Sequence, residues 1–281
     1  EEAEAHTVVH ITQPGTYALS GTLSAGQIAV DLGEDAEDDP AAVVTLILNG
    51  VDITCTVAPA VIFYNVYECG STDEDTASET VDTSAAGANV LIADGTINNV
   101  TGSYVARIYD PDSVVLSEDG MTVEDSEKLH KYDGAFYSKM SMNVDGGEAG
   151  TGVLNITADN EGLDTELHLT INGGTIWTMA NETSPDGGID ADGAITINGG
   201  TVTATGGINA AGIGGDGGSI TINSGTVTAT GGSGGAGIGS GRESSAGGTI
   251  TINGGHVTAN GSQGSQQYYS AGIGGGFKGA G

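Results

Sequence analysis

Positive charge is what this chain lacks most. It holds 6 Lys and Arg against 37 Asp and Glu, for a formal net charge of −31. Sequence-general nucleic-acid binding needs Lys and Arg to neutralise phosphates, so that class is excluded. The same imbalance argues against attraction to anionic membranes. No apolar run approaches the roughly 18 residues of a membrane-spanning helix, so no membrane insertion is expected. Large aromatics are scarce, with 3 Phe and 1 Trp, so the core must be aliphatic. The 5 His are scattered and no HExxH is present, which leaves zinc without a site. No Pro-rich or Ser-rich linker interrupts the chain, so residues 1–281 read as a single domain. The opening EEAEA lacks a charged-then-apolar signal pattern, which a mature secreted chain has already shed. Cysteine is limited to Cys55 and Cys69. They form either one disulfide in an oxidising compartment or two buried free thiols, and the acidic, Lys-poor β composition favours the disulfide.

What the chain has instead is a repeat. LTINGGTIWTM from Leu169 recurs as ITINGGTVTAT from Ile195, ITINSGTVTAT from Ile220 and ITINGGHVTAN from Ile250, at offsets of 26, 25 and 30 residues. A second register runs in phase, with apolar residues at Phe136, Leu163, Ile189, Ile213, Ile238 and Ile273. A period of about 25 residues marks a solenoid, whose units bury their apolar faces by stacking on neighbours. ITI and TVTAT alternate with a period of two, which suits half-buried strands. Val, Ile and Thr fit a pleated surface, and Gly-Gly pairs mark the turns. The 50 glycines lack the Gly-X-Y period of collagen. The expected fold is all-β: a right-handed parallel β-helix of about 25 residues per coil, its hand following the general crossover rule.

Stacking converts the repeat into columns. Ile195, Ile197, Val202 and Ala204 line up with Ile220, Ile222, Val227 and Ala229, then with Ile250, Ile252, Val257 and Ala259. At about 4.8 Å per strand these form continuous aliphatic ladders. Asn172, Asn198, Asn223 and Asn253 make another column, either as a hydrogen-bonded amide ladder or as simple turn formers. Residues 131–281 hold the regular repeats. Residues 1–130 read as less regular coils of the same helix, with a possible N-terminal cap and acidic loops at 31–40 and 71–84.

The acids fall into columns as well. Asp164 follows Leu163 and Asp190 follows Ile189, so the two share one column. Glu166, Asp192 and Asp216 share a second, while Asp159, Glu161 and Asp186 sit just upstream. Two carboxylates about 4.8 Å apart repel by roughly 3.5 kcal/mol at an effective dielectric near 20. Such dense oxygen ligands suit Ca²⁺, with Asp164, Asp190, Glu166, Asp192, Asp216, Asp159, Glu161 and Asp186 as the candidate set. The competing reading is an acidic face that is merely solvated. Asp31, Glu34, Asp35, Asp38 and Asp39 form a second, weaker candidate without EF-hand spacing.

The blocks HTVVHITQPGTYALSGTLSAGQIAVDLGEDAEDDPAAVVTLILNGVDITC, KYDGAFYSKMSMNVDG, TGVLNITADNEGLDTELHLTINGGTI and DGGIDADGAITINGGTVTATGG resemble a secreted bacterial carbohydrate-binding β-helix family of clostridial cellulose degraders. The resemblance spans about residues 6–207. From Ile208 the DGI element becomes AGIGG, a Gly-rich repeat common in Gram-positive surface proteins. The family implies a calcium-associated right-handed β-helix similar to pectate lyases, which binds cellulose and polygalacturonate and is not established as an enzyme. The expected function is therefore calcium-dependent, non-catalytic binding of pectin or cellulose by a monomer that is secreted or held at the cell surface. Tyr137, Trp177 and Tyr132 are candidate sugar-stacking rings, against the plainer reading that Tyr137 and Trp177 merely cover the core. A uronate lyase or glycoside hydrolase on the same fold is the alternative. Lys139, in the column of Glu166, is then the candidate base, unless it only forms a salt bridge to Glu166. A structural adhesin is the third reading.

Overall fold

The computed structural model describes residues 5–72, 82–109, 114–117, 120–125, 128–214, 218–244, 248–262 and 268–280. It is all-β with almost no helix; helical segments include the short 3-10 turns Glu34–Asp38 and Thr83–Ala85. The strands lie in large parallel sheets, and each repeat contributes one strand to each of three rows. The repeat at 161–179 supplies Glu161–Thr165, Leu169–Ile171 and Thr175–Met179, and the next supplies Ile189–Ala191, Ile195–Ile197 and Thr201–Thr205.

The first row is a six-stranded parallel sheet in the order Thr7–Ile11, Gly26–Val30, Val61–Phe63, Gly134–Ser138, Glu161–Thr165, Ile189–Ala191. Single bridges carry it on from Ile189 to Ile213 and from Ile213 to Ile238. The second and third rows belong to one fourteen-stranded sheet. Val44–Thr54 joins them, pairing with Ala88–Ile92 through its first half and with Ile97–Gly102 through its second. In that strand the bend falls at Gly50, with φ at 79°. In later repeats the bend becomes a full turn at the second glycine of each pair: Gly174, Gly200, Gly225 and Gly255 have φ between 83° and 94°. Ser224 replaces the first glycine of one pair, but the second must take a left-handed conformation and stays glycine.

The expected ladders form. Ile195, Ile197, Val202 and Ala204 pair in register with Ile220, Ile222, Val227 and Ala229, and all are at most 3% exposed. Each such Ile or Val contributes about 2 kcal/mol by leaving water. In the following repeat Ile250, Val257 and Ala259 are half-buried and Ile252 is 41% exposed, because packing reaches them from one side. The asparagine column is a true ladder: Asn198 Nδ2 donates to Asn172 Oδ1 at 2.9 Å, Asn223 to Asn198 at 2.8 Å and Asn253 to Asn223 at 2.7 Å. It lies on the exposed surface, not in the interior.

The disulfide expectation is corrected. Cys55 and Cys69 are separate thiols, Cys55 buried in the aliphatic core and Cys69 half-buried with Sγ 3.7 Å from Glu68 Oε1. Burial and the Glu68 carboxylate push the Cys69 thiol up to about 12.

Candidate functional site

The outward face of the six-stranded sheet carries one column in register: Ala29, Ile62, Tyr137, Asp164, Asp190. The predicted pairing of Asp164 with Asp190 is therefore present. Its upper part is apolar and covered. Tyr137 and Tyr132 are 1% and 3% exposed and pack edge to face with centroids 5.3 Å apart. Tyr64 adds a second edge contact to Tyr132 at 5.1 Å, and Val105 closes the cluster. Tyr132 and Tyr137 thus cannot stack on a sugar, which corrects that expectation. The segment running through Val105 and Tyr132 lies over the sheet and takes them out of solvent.

Asp164 ends this apolar column at 8% exposure. Burial holds its carboxyl well above the usual carboxylate range, reinforced by Glu161, Asp190 and Glu166 and by a hydrogen bond with Glu161. Gly134 makes room for it, since a Cβ there would stand 2.6 Å from Asp164 Cβ. Glu161 is also buried, Asp190 and Asp186 are half-buried, and Asp159 and Asp192 are exposed. Asp190 Oδ1 accepts from the Ala191 N–H at 2.9 Å, and Asp186 Oδ2 accepts from Ser184 Oγ at 2.6 Å. Asp216 lies outside the described residues. The donors are all oxygen, which suits a hard cation in kind. Among the described residues, however, no group of three or more His, Cys, Asp or Glu is arranged to hold a metal ion. In the weaker candidate loop, Asp31 Oδ1 accepts from Gly33 N and Asn65 Nδ2, and Asp39 Oδ1 accepts from Ala41 N.

Lys139 does not pair with Glu166. Its Nζ lies 2.9 Å from Glu37 Oε1, on the 3-10 turn Glu34–Asp38. Glu166 instead accepts the Tyr137 hydroxyl. A turn 102 residues away in sequence supplies its partner.

The third row presents a different surface. Asn99, Asn155, Trp177, Thr203, Thr228 and Thr258 stand side by side on successive parallel strands. Trp177 is 52% exposed, the one candidate ring open to solvent. Thr201, Thr205, Thr226 and Thr230 flank this line, so the face is a lattice of hydroxyls and amides around an indole. Its strands, from 97–102 through 256–260, contain no Asp, Glu, Lys or Arg. From Asn99 onward the face is uncharged within a molecule of net charge −31, and exposed Asp52, in register with Asn99 on Val44–Thr54, borders it.

Three polar features escaped the sequence reading. A groove of about 350 Å³ runs beside the turn Thr83–Ala85, lined by Asp82, Ser84, Asp145, Thr196 and the ladder residues Asn172 and Asn198. Thr83 pins the turn down: its Oγ1 lies 2.8 Å from Asn143 Oδ1 and 2.7 Å from Thr170 Oγ1. Buried Glu68 accepts from Ser141 N, Ser141 Oγ and Gly70 N at 2.7, 2.9 and 2.8 Å. Buried His168 accepts the Ala194 N–H on Nδ1 at 2.8 Å. These partners are distant in sequence and carry no local motif.

A family model described as carbohydrate-binding domain-containing protein matches residues 5–277. The chain belongs to this carbohydrate-binding domain-containing family. A curated family relative from Acetivibrio thermocellus, of the same description, is 28% identical over 173 residues, or 61% of this chain. The match spans 45% of that relative's length, so the chain corresponds to about half of it. A solved structure of the polysaccharide lyase-like protein from C. thermocellum, a gadolinium derivative, covers 89% of this chain and 84% of its own at 22% identity and a TM-score of 0.46. The family match runs through the Gly-rich tail, beyond the 6–207 of the resemblance.

Proposed function

We propose that this carbohydrate-binding protein is a right-handed parallel β-helix that docks on plant cell-wall polysaccharide without cutting it. The observation that carries the reading is the neutral lattice around Trp177. A flat, uncharged row of Asn and Thr side chains matches an extended neutral glucan such as cellulose. Its hydroxyls find donors and acceptors at strand spacing, and one ring stacks on the indole. A polyanionic chain would be repelled by the rest of the molecule, and this face spares a neutral one that cost.

At the acidic first row, acidic polysaccharide such as polygalacturonate needs a cation between the two anions. Asp164, Glu161, Asp190 and Glu166 are the oxygen donors from which a Ca²⁺ site would have to be assembled, and an ion there would supply positive charge toward a uronate carboxylate. A lyase reading requires a free base, and the base candidate Lys139 is engaged by Glu37. The protein acts outside the cell, secreted or surface-held, as a monomer.

The test is retention on insoluble cellulose and on polygalacturonate, with calcium or chelator, while soluble products are monitored. Trp177→Ala should weaken cellulose retention about thirtyfold, the scale of a ring anchor worth about 2 kcal/mol. The melting curve should hardly move, because the ring is largely exposed. Unchanged retention by this variant, or release of unsaturated sugar, sinks the reading.

A further inference from the structure

The cations of this chain are few, and two of them meet in the tail. Arg242 lies with its guanidinium carbon 4.3 Å from the centre of the Tyr268 ring and 5.8 Å from that of Phe277. Lys278 Nζ stands 5.3 Å from the same Phe277 ring. Tyr268 and Phe277 meet edge to face at 5.1 Å, so the aromatic pair is a common platform for both cations. Both share one carboxylate: Glu243 Oε1 is 3.2 Å from Arg242 Nη2 and 3.8 Å from Lys278 Nζ. Two positive charges against one negative leave the cluster net cationic within a chain of −31.

The guanidinium is also short of acceptors. Its Nη1 makes a long 3.4 Å contact with Asn209 Oδ1, and its buried Nε has no hydrogen-bond partner among the described residues. The backbone is bent to build this arrangement. Asn209, Glu243 and Lys278 are the non-glycine residues at positive φ among the described residues, at 67°, 59° and 57°. All three belong to this one cluster. Such conformations are strained outside glycine and persist where the surroundings over-determine them. Beside the cluster, Tyr269 is 68% exposed.

We infer that Arg242 and Lys278 form a calcium-independent docking point for the carboxylate of a uronic-acid sugar, with the exposed Tyr269 beside it to stack on the ring. Arg242 is held over the Tyr268 ring and its guanidinium is a planar set of donors, while Lys278, 67% exposed on the side chain, supplies a second charge. A uronate oxygen competes with Glu243 for both. The inference rests on the reading above that the chain binds acidic polysaccharide. It gives that polymer a second contact far along the sequence from Asp164, one that needs no bridging ion.

The experiment titrates the full chain with an oligogalacturonate in the presence of chelator. A neutral galactose oligomer of equal length and polyglutamate serve as comparison ligands. The variants are Lys278→Glu, whose side chain is mostly exposed, and Arg242→Gln, with a melting curve recorded for each. Chelator-resistant binding of the oligogalacturonate should fall about tenfold or more in either variant, as loss of one charge-assisted hydrogen bond implies. Added salt should weaken it, and the neutral oligomer should not bind there. The docking point is overturned if both variants bind like the parent, or if binding persists only with calcium; the proposed function then stands. Equal binding of polyglutamate overturns the sugar specificity. If oligogalacturonate binds under neither condition, the acidic-polysaccharide reading falls together with this inference.

Discussion

At the scale of the residue, Asp164 shows what burial does to a carboxylate among carboxylates. Its column partner Asp190 was legible from spacing, but the burial was not. Burial comes from the apolar column above it and from Gly134, which leaves room for its side chain. A pH dependence follows from its raised carboxyl. Between the ordinary Asp pKa of about 3.9 and the raised folded value, the folded chain holds a proton that the unfolded chain has released. This contribution is complete at low pH and is lost as pH rises through the window. In chelator the melting temperature should therefore decline across that range, and Asp164→Asn should remove this part of the decline. At neutral pH, calcium should raise the melting temperature of the parent and hardly that of the variant. Equal calcium shifts in the two proteins would place the ion elsewhere. Tyr137 marks where the sequence left two readings open and burial chose the plainer one, and Tyr132 is buried with it. An aromatic in an acid-bearing repeat has no local signal that says whether another segment covers it, and here the segment through Val105 does.

At the scale of the element, the repeat strands were the most legible part of the chain. Alternation with a period of two, a glycine at each left-handed turn and a constant offset leave one register open, because a one-residue slip would turn Ile197 and Val202 outward. The asparagine column gains its meaning only from that register. Asn223 both donates to Asn198 and accepts from Asn253, so Asn223→Ala removes two ladder bonds at once. The ladder is exposed and water replaces part of what is lost, so the expected cost is about 1 kcal/mol, read from denaturant unfolding. A change beyond about 3 kcal/mol would mean that the column is structural core. The irregular elements were less legible. The turn Glu34–Asp38 reads in sequence as an acidic loop, and only its position beside Lys139 makes it an ion-pair partner.

At the scale of the whole molecule, stability is distributed along rows of parallel strands, so the cost of a core deletion should depend on its neighbours on both sides. Ile222 is fully buried between Ile197 and Ile252, and Ile222→Ala should cost about 2–5 kcal/mol. Ile252 occupies the same column at 41% exposure, and Ile252→Ala should cost less than half as much. Paired chemical-denaturation curves would check this, and equal losses would contradict the one-sided packing of the last repeat. Charge is partitioned at the same scale. Glu161, Asp164 and Asp190 gather on the first row, the third-row strands around Trp177 carry no charge, and Arg242 and Lys278 form a small cationic island. By itself the sequence determined the all-β class, the strand register, the aliphatic columns and the meeting of Asp164 with Asp190, because these follow from periodicity between adjacent repeats. Only the tertiary structure decided which aromatics are covered, which carboxylate holds Lys139, that the two thiols stay apart and that Arg242 meets Tyr268 and Phe277. Those outcomes depend on irregular segments that fold across the rows, where partners are set by proximity in space and no period links them.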